Sequence, residues 1–195
     1  NASDSGLGYG IAFYSTSLCN VYDGQSLDCR HAISGRHMNT IKVVGGEYDQ
    51  IDSHWGNNVQ IEKATLYRSV VYAGSNIRLK DITVLDAPFL LAIRNDTPEL
   101  SGTVEIENIK VKLTQQFQYS LFTLVGFSSQ QLEGYEPGRT IINPEYTIIK
   151  NINVYSEKDV DVWGVFSHRN RTYPQTYWKK GVIDGFYTNN LRLKV

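Results

Sequence analysis

A short pattern of apolar or small residues recurs along the chain and restricts its fold more than any other feature. These residues stand at offsets 0, +2, +5 and +7 from each starting position. Clear copies start at Ile41, Val59, Ile77, Val104 and Thr147, and weaker copies start at Cys19 and Gly181. Residues two apart lie on the same face of a β-strand, whereas a step of three reverses that parity. The pattern therefore predicts two short strands that meet at a corner in every copy.

The corners are predicted at residues 44–45, 62–63, 80–81, 107–108 and 150–151, where the side chains are polar or small. A second family of strand-like segments alternates with the first. Several of its members end in Gly or Ser followed by Asn, as at residues 56–58 and 74–76, and such residues tolerate tight turns. The sequence thus predicts a third strand per repeat and an all-β fold, a right-handed parallel β-helix with coils of about 18–27 residues.

Successive copies are unevenly spaced, and the two longest gaps precede the copies that start at Thr147 and Gly181. These gaps hold either an additional coil or protruding loops, and residues 130–144 and 168–180 are the loop candidates. We expect β-helix coils over residues 1–155, and a final coil or coils with a protruding loop and a C-terminal strand over 156–195. Leucine-rich repeats and propeller blades fit this period poorly, whereas a β-sandwich with irregular strands remains an alternative.

Composition and charge narrow the possible partners. The formal net charge is −1 and there is no basic block, which argues against nucleic-acid binding. No apolar run approaches the length of roughly 18 residues that a spanning helix needs, so no membrane span is predicted. The chain contains 13 Tyr and 3 Trp, and a neutral surface rich in Tyr, Trp, Asn and Ser suits hydroxyl-rich ligands. Cys19 and Cys29 are expected to be small core residues, although a disulfide between them stays open.

Chemistry-bearing side chains are densest between Asp28 and Trp55. Residues about 20 apart in a coiled ladder lie on neighbouring coils, roughly 4.8 Å away. Asp28 and Asp49 have this spacing, and so do His31 and Asp52. The spacing therefore predicts that Asp28 stacks on Asp49 and His31 on Asp52, in one outward-facing patch.

As an enzyme site, this patch has Asp49 and Asp52 as its paired carboxylates, with Asp28 as a third catalytic candidate. Glycoside hydrolysis requires one carboxylic acid at the leaving oxygen and one carboxylate as base or nucleophile. The candidate substrate-binding residues are Arg30, His31, Arg36, His37, Tyr48, His54, Trp55 and Trp178. Trp178 belongs to a second aromatic cluster, which serves either as a sugar platform or as packing between neighbouring chains.

Other interpretations of the same residues stay open. In a lyase, Tyr48 or a histidine would remove a proton beside a uronate carboxyl that Arg30 or Arg36 neutralises. In a purely structural role, aspartates at turns cap backbone groups. Neither a phosphate-binding glycine loop nor a recognised metal-ligand spacing occurs, so no cofactor and no metal is predicted.

Residues 29–37, 45–49 and 52–56 resemble rungs of bacteriophage tailspike and tail-fibre proteins of the pectin-lyase-like β-helix superfamily. The resemblance implies a side-by-side homotrimer in the virion tail that acts outside the cell. It also implies binding, and often cleavage, of bacterial capsule or O-antigen polysaccharide. For such cleavage the residues favour a glycoside hydrolase over a lyase. Tailspike hydrolases often carry Asp pairs like Asp49 and Asp52, but the fuller polygalacturonase elements do not occur here. The alternatives are a non-catalytic receptor-binding or structural segment of a tail fibre, and a pectinase relative outside phage.

Overall fold

The computed structural model of the chain consists of β-strands and their connections over the residues that it describes. These residues are 8–37, 40–68, 70–85, 89–94, 102–113, 121–128, 145–162, 166–168 and 180–193. The strands are β1 (Tyr9–Tyr14), β2 (Leu18–Tyr22), β3 (Gln25–Ser26), β4 (His31–Arg36), β5 (Thr40–Val44), β6 (Glu47–Tyr48), β7 (Ile51–Glu62), β8 (Thr65–Leu66), β9 (Val70–Lys80), β10 (Thr83–Leu85), β11 (Phe89–Arg94), β12 (Thr103–Leu113), β13 (Leu121–Ser128), β14 (Tyr146–Val162), β15 (Phe166–His168) and β16 (Gly181–Leu193). In these ranges no helix has the length and apolar character needed to cross a membrane.

The strands form one curled sheet. Within the described ranges the sheet has 16 strands, and its main path runs β1-β4-β7-β9-β11-β13-β14-β12-β10-β8-β6-β3. Every strand pair there is parallel. The path thus descends one side of the molecule and returns along another, which is consistent with a parallel β-helix. A β-sandwich, by contrast, is built from antiparallel sheets.

Each coil contributes to up to three faces. Face 1 contains β1, β4, β11, β13, β15, the first parts of β7 and β9, and the last residues of β14 and β16. Face 2 contains β2, β5, the later parts of β7 and β9, and the first parts of β12, β14 and β16. Face 3 contains β3, β6, β8, β10 and the strand segments that follow the corners of β12, β14 and β16.

The register of face 2 is the one that the repeat predicts. The starting residues of successive copies lie opposite one another in the order Cys19, Ile41, Val59, Ile77, Val104, Thr147 and Gly181. The inward offsets are buried, as at Ile61, Leu79 and Ile106, which are 0% exposed. Like residues therefore stack on like residues, and the apolar pattern continues from coil to coil as one core.

A left-handed residue forms each corner between faces 2 and 3. The corner residues are Asp23, Gly45, Lys63, Asp81, Asn108, Asn151 and Gly185, with φ between 47° and 74°. Each stands four residues after the start of its copy, so the predicted corner positions are confirmed. Gly adopts this backbone region freely and Asn or Asp tolerates it, whereas other residues are strained by roughly 1–2 kcal/mol.

Side chains at the corners also bond to one another along the coil axis. Asn108 Nδ2 donates a hydrogen bond of 2.8 Å to Asp81 Oδ1, and Asn151 Nδ2 donates one of 2.9 Å to Asn108 Oδ1. At another corner a Cβ on Gly45 would collide with the Asp23 carboxylate, so glycine makes room for that side chain. Polar ladders and small residues thus hold successive corners in line.

The core accepts one large aromatic ring where glycines leave space. Tyr48 is 0% exposed, and its hydroxyl accepts a hydrogen bond of 3.0 Å from the Gly24 N–H. A Cβ on Gly46, whose φ is 88°, would collide with that hydroxyl. Burial raises the pKa of the Tyr48 phenol. Gly46, at offset +5, therefore leaves room both for the Gly24 backbone and for the tyrosine at offset +7.

Charges of opposite sign alternate along the outer side of face 2. The column reads Glu62, Lys80, Glu107, Lys150 and Asp184, one residue per coil, and consecutive members are direct ladder partners. Opposite charges on neighbouring strands stabilise a sheet by a few tenths of a kcal/mol to about 1 kcal/mol per pair. The column thus favours the observed order of coils.

Most of the predicted loop residues, 130–144 and 169–179, lie outside the described residues. Strand β14, Tyr146–Val162, runs across the predicted boundary between residues 155 and 156.

The strained corner at Lys63 gives a stability prediction. Lys63→Asn should raise the free energy of unfolding by about 0.5–1 kcal/mol, because asparagine tolerates a positive φ better than lysine. Urea denaturation measures the change. Lys42→Asn, in β5 on the neighbouring coil, is the matched control and should give no gain. A gain for Lys42→Asn as large as that for Lys63→Asn would contradict the corner explanation.

The buried thiol of Cys19 gives a pH prediction. Burial raises the pKa of Cys19 from 9.0 to about 11, so the folded state disfavours the thiolate. This contribution to stability is fully present below pH 9 and declines as the pH rises toward 11. As the pH rises from about 8 to about 11, the free energy of unfolding of the Cys19→Val variant should therefore fall by about 2 kcal/mol less than that of the unmodified chain. Urea denaturation at both pH values tests this, and equal losses in the two proteins would refute it.

Candidate functional site

The fold divides the predicted polar region between Asp28 and Trp55 into two sets of side chains. The exposed set is Asp28, Arg30, Arg36 and His37. The buried set is His31, Tyr48, Asp49 and Asp52. The prediction of one outward-facing patch is therefore wrong, because the candidate carboxylates Asp49 and Asp52 are 8% and 2% exposed.

His31 and Asp52 come together as the sequence predicts, although not by direct stacking. His31 Nδ1 lies 2.8 Å from Asp52 Oδ2, off the line of a straight hydrogen bond. In the ladder Asp52 lies opposite Ser34, because the offset between neighbouring coils on this face is shorter than the predicted spacing. The Tyr9 ring packs edge-on to the imidazole with centroids 5.1 Å apart. His31 and Asp52 thus form a packed polar pair next to an exposed tyrosine.

Asp49 has a structural hydrogen bond. Its Oδ2 accepts a bond of 2.9 Å from the Cys29 N–H, in the turn that connects β3 to β4. Asp28, the preceding residue, has a positive φ of 58° and an exposed side chain. Asp49 therefore caps the turn that contains Asp28, as aspartates at turns commonly do.

Tyr48 is not placed to bind a ligand from outside the coil. Its ring lies in the core at 0% exposure, and its hydroxyl is engaged with Gly24. The assignment of Tyr48 as a substrate-binding residue is accordingly corrected to a core role. Cys29 is half-buried with its Sγ 3.4 Å from the Leu27 carbonyl oxygen, and both cysteines are free thiols.

The remaining candidates are placed only in part. Arg36 ends β4, where its backbone lies between Tyr14 and His54 in the ladder of face 1. The backbones of His54 and Trp55 lie in β7, but their side chains are outside the described part of the chain. Trp178 lies entirely outside the described residues. Over the described ranges, no group of three or more His, Cys, Asp or Glu side chains is arranged to hold a metal ion.

A groove on the outer side of face 2 was not predicted. Its volume is about 320 Å³, and it crosses three successive coils. Its polar wall consists of Asn58, Gln60, Asn76, Arg78, Thr103 and Glu105. Val59 and Ile77 also line it; their side chains point into the core, so only their backbones face the groove. These six polar residues stand at offsets −1 and +1 of three copies of the repeat. Those positions point outward, so the row of polar residues at them was the sequence feature that could have predicted the groove.

Contacts within the groove hold its wall in place. Asn76 Nδ2 donates to Asn58 Oδ1 at 3.3 Å, and Asn76 Oδ1 accepts from the Thr103 N–H at 2.9 Å. Arg78 Nε lies 3.3 Å from Glu105 Oε2, and its Nη1 lies 3.9 Å from Glu62 Oε1. The wall thus contains one set of hydrogen-bonded amides and one set of ionic contacts, side by side on the sheet.

In comparisons with known proteins, the chain matches no protein-family model, no curated protein and no solved structure. Its functional assignment therefore depends on the site geometry and on the resemblance of its rungs.

The cap at Asp49 can be tested separately from any activity. Asp49→Ala should lower the free energy of unfolding by about 1–2 kcal/mol, because the Cys29 N–H loses its acceptor. Asp49→Asn keeps an acceptor oxygen and should change stability by less than about 0.5 kcal/mol. Thermal or urea unfolding measures both, with Asp28→Asn as the exposed control. Equal stability of the Ala and Asn variants would show that the cap contributes nothing.

Proposed function

We propose that this chain is a segment of a phage tailspike or tail fibre whose outer wall binds bacterial surface polysaccharide. The observation that carries the proposal is the polar groove across three coils of a parallel solenoid. The resemblance of residues 29–37, 45–49 and 52–56 to tailspike rungs supports the same assignment.

The architecture suits a repeating, hydroxylated polymer. Neighbouring coils are about 4.8 Å apart, so each outward offset forms a straight row of side chains along the axis. In the groove these rows contain amides, a hydroxyl, a guanidinium and a carboxylate, which both donate and accept hydrogen bonds. A formal net charge of −1 adds no attraction for nucleic acid.

We also propose that the chain acts as a side-by-side homotrimer in the virion tail, outside the cell. Exposed aromatic side chains support an association of this kind. Tyr14 is 60% exposed and Tyr22 is 61% exposed, both in the first described coil. Tyrosine is enriched at protein interfaces, where its ring packs and its hydroxyl remains wet.

Cleavage of the bound polysaccharide is the second candidate function. The His31–Asp52 pair favours it, because an imidazole 2.8 Å from a carboxylate can hold and transfer a proton. Asp52 is 2% exposed, so the pair must become accessible when a glycan binds. Asp49 is bonded to the Cys29 backbone, which favours a supporting role for that carboxylate.

The two functions separate in one experiment with the purified chain. It is incubated with capsule and O-antigen polysaccharides from candidate hosts, and binding, new reducing ends and absorbance from unsaturated uronates are followed. We expect binding to at least one polysaccharide. If reducing ends appear, Asp52→Asn should lower their rate by about 10²–10⁴-fold, since it removes a proton-transferring group, while binding persists.

Asp49→Asn, which keeps the turn cap, is the matched variant for that assay. Binding without reducing ends or unsaturated products would assign the chain to recognition alone. Absence of binding to every polysaccharide would refute the proposal. Sedimentation equilibrium on the same sample should give three times the 22.1 kDa chain mass, and a monomer would refute the trimer.

A further inference from the structure

We infer that the groove on face 2 takes an uncharged sugar unit, rather than a uronate or another anionic sugar. This inference rests on the proposed function and specifies the class of ligand for the same groove. It depends on three features of the wall: its charge balance, its unused hydrogen-bonding groups and its size.

The charges of the wall cancel within the groove. Arg78 is the single cation among the lining residues, and its Nε lies 3.3 Å from the Glu105 carboxylate. Its Nη1 is oriented toward Glu62 at 3.9 Å. A carboxylated sugar would therefore approach the Glu105 carboxylate and a guanidinium that this carboxylate already neutralises. Like charges at short range disfavour that ligand.

The unused groups of the wall match hydroxyls. Both ends of the Asn76 side-chain amide are already hydrogen-bonded. Its Nδ2 donates to Asn58 and Asn57, and its Oδ1 accepts from the Thr103 N–H. Within the described residues, no hydrogen bond engages the Gln60 amide or the Thr103 hydroxyl. These two groups offer donors and acceptors side by side, as sugar hydroxyls require. A neutral sugar can satisfy them without displacing the bonds that hold the wall.

The size of the groove limits the occupant to one or two sugar residues. Its volume of about 320 Å³ is at the small end of ligand pockets. Three coils span roughly 10 Å along the axis, which is about two sugar rings in length. Since none of the lining residues is aromatic, binding depends on hydrogen bonds, and each groove should bind weakly.

The experiment uses the full chain and an array of bacterial surface oligosaccharides divided into neutral and uronate- or sialate-bearing sets. We expect binding to neutral members, with little change in affinity between low and high salt. The strongest neutral ligand is then titrated while the side-chain amide resonances of Gln60 are followed by NMR. Gln60→Ala and Thr103→Val should each weaken its binding about three- to tenfold, by removing one hydrogen-bonding group.

Asn20→Ala is the matched control, because Asn20 occupies the same outward offset as Gln60 but lies two coils away, outside the groove. It should leave affinity unchanged within about twofold. Melting temperatures of the three variants show whether each remains folded. Preferential binding of anionic glycans, or neutral binding that the groove variants leave unchanged, would overturn this inference while the proposed function stands. Binding to no glycan would overturn both.

Discussion

The left-handed corner between faces 2 and 3 is the constraint on which the rest of the structure depends. At that residue the chain turns while offsets 0, +2, +5 and +7 all stay directed into one core. Without a positive φ there, the step of three in the repeat would expose half of the apolar residues. The chain meets this requirement with Gly45 and Gly185, with Asn and Asp at four corners, and with strain at Lys63. Side-chain hydrogen bonds from Asn108 to Asp81 and from Asn151 to Asn108 hold those three corners in line.

This part of the fold could be predicted because it depends on local parity. The corner positions and the pairing of copies from Cys19 to Gly181 follow from residue spacing alone, and the structure confirms them. The burial of Tyr48 also followed from its offset of +7, yet its aromatic ring and hydroxyl favoured a ligand-binding interpretation. A residue's place in the repeat was a better guide to its role than its side-chain chemistry.

The candidate site was harder to predict because face 1 has no strict repeat of its own. A uniform spacing between coils placed Asp52 over His31, whereas the actual ladder places it beside Ser34. The two side chains still meet, with His31 Nδ1 2.8 Å from Asp52 Oδ2. Exposure depends on what the rest of the chain packs over a strand, and that information is not local. The groove of face 2 was missed for a different reason: its Asn, Gln and Thr residues lack the titratable groups that direct attention to chemistry.

The uneven lengths of the coils have a consequence for how such a molecule can change. Some successive corners are close in sequence, as Gly45 and Lys63 are, whereas Asn108 and Asn151 are far apart. The stretch from offset 0 to offset +7 nevertheless keeps its register from coil to coil. All of the length variation is therefore confined to the remainder of each coil. Segments can be gained or lost there during evolution without moving the axis, the core or the groove. The strands on either side of each corner form a framework of constant length. The connecting segments are the places where new recognition surfaces can be added.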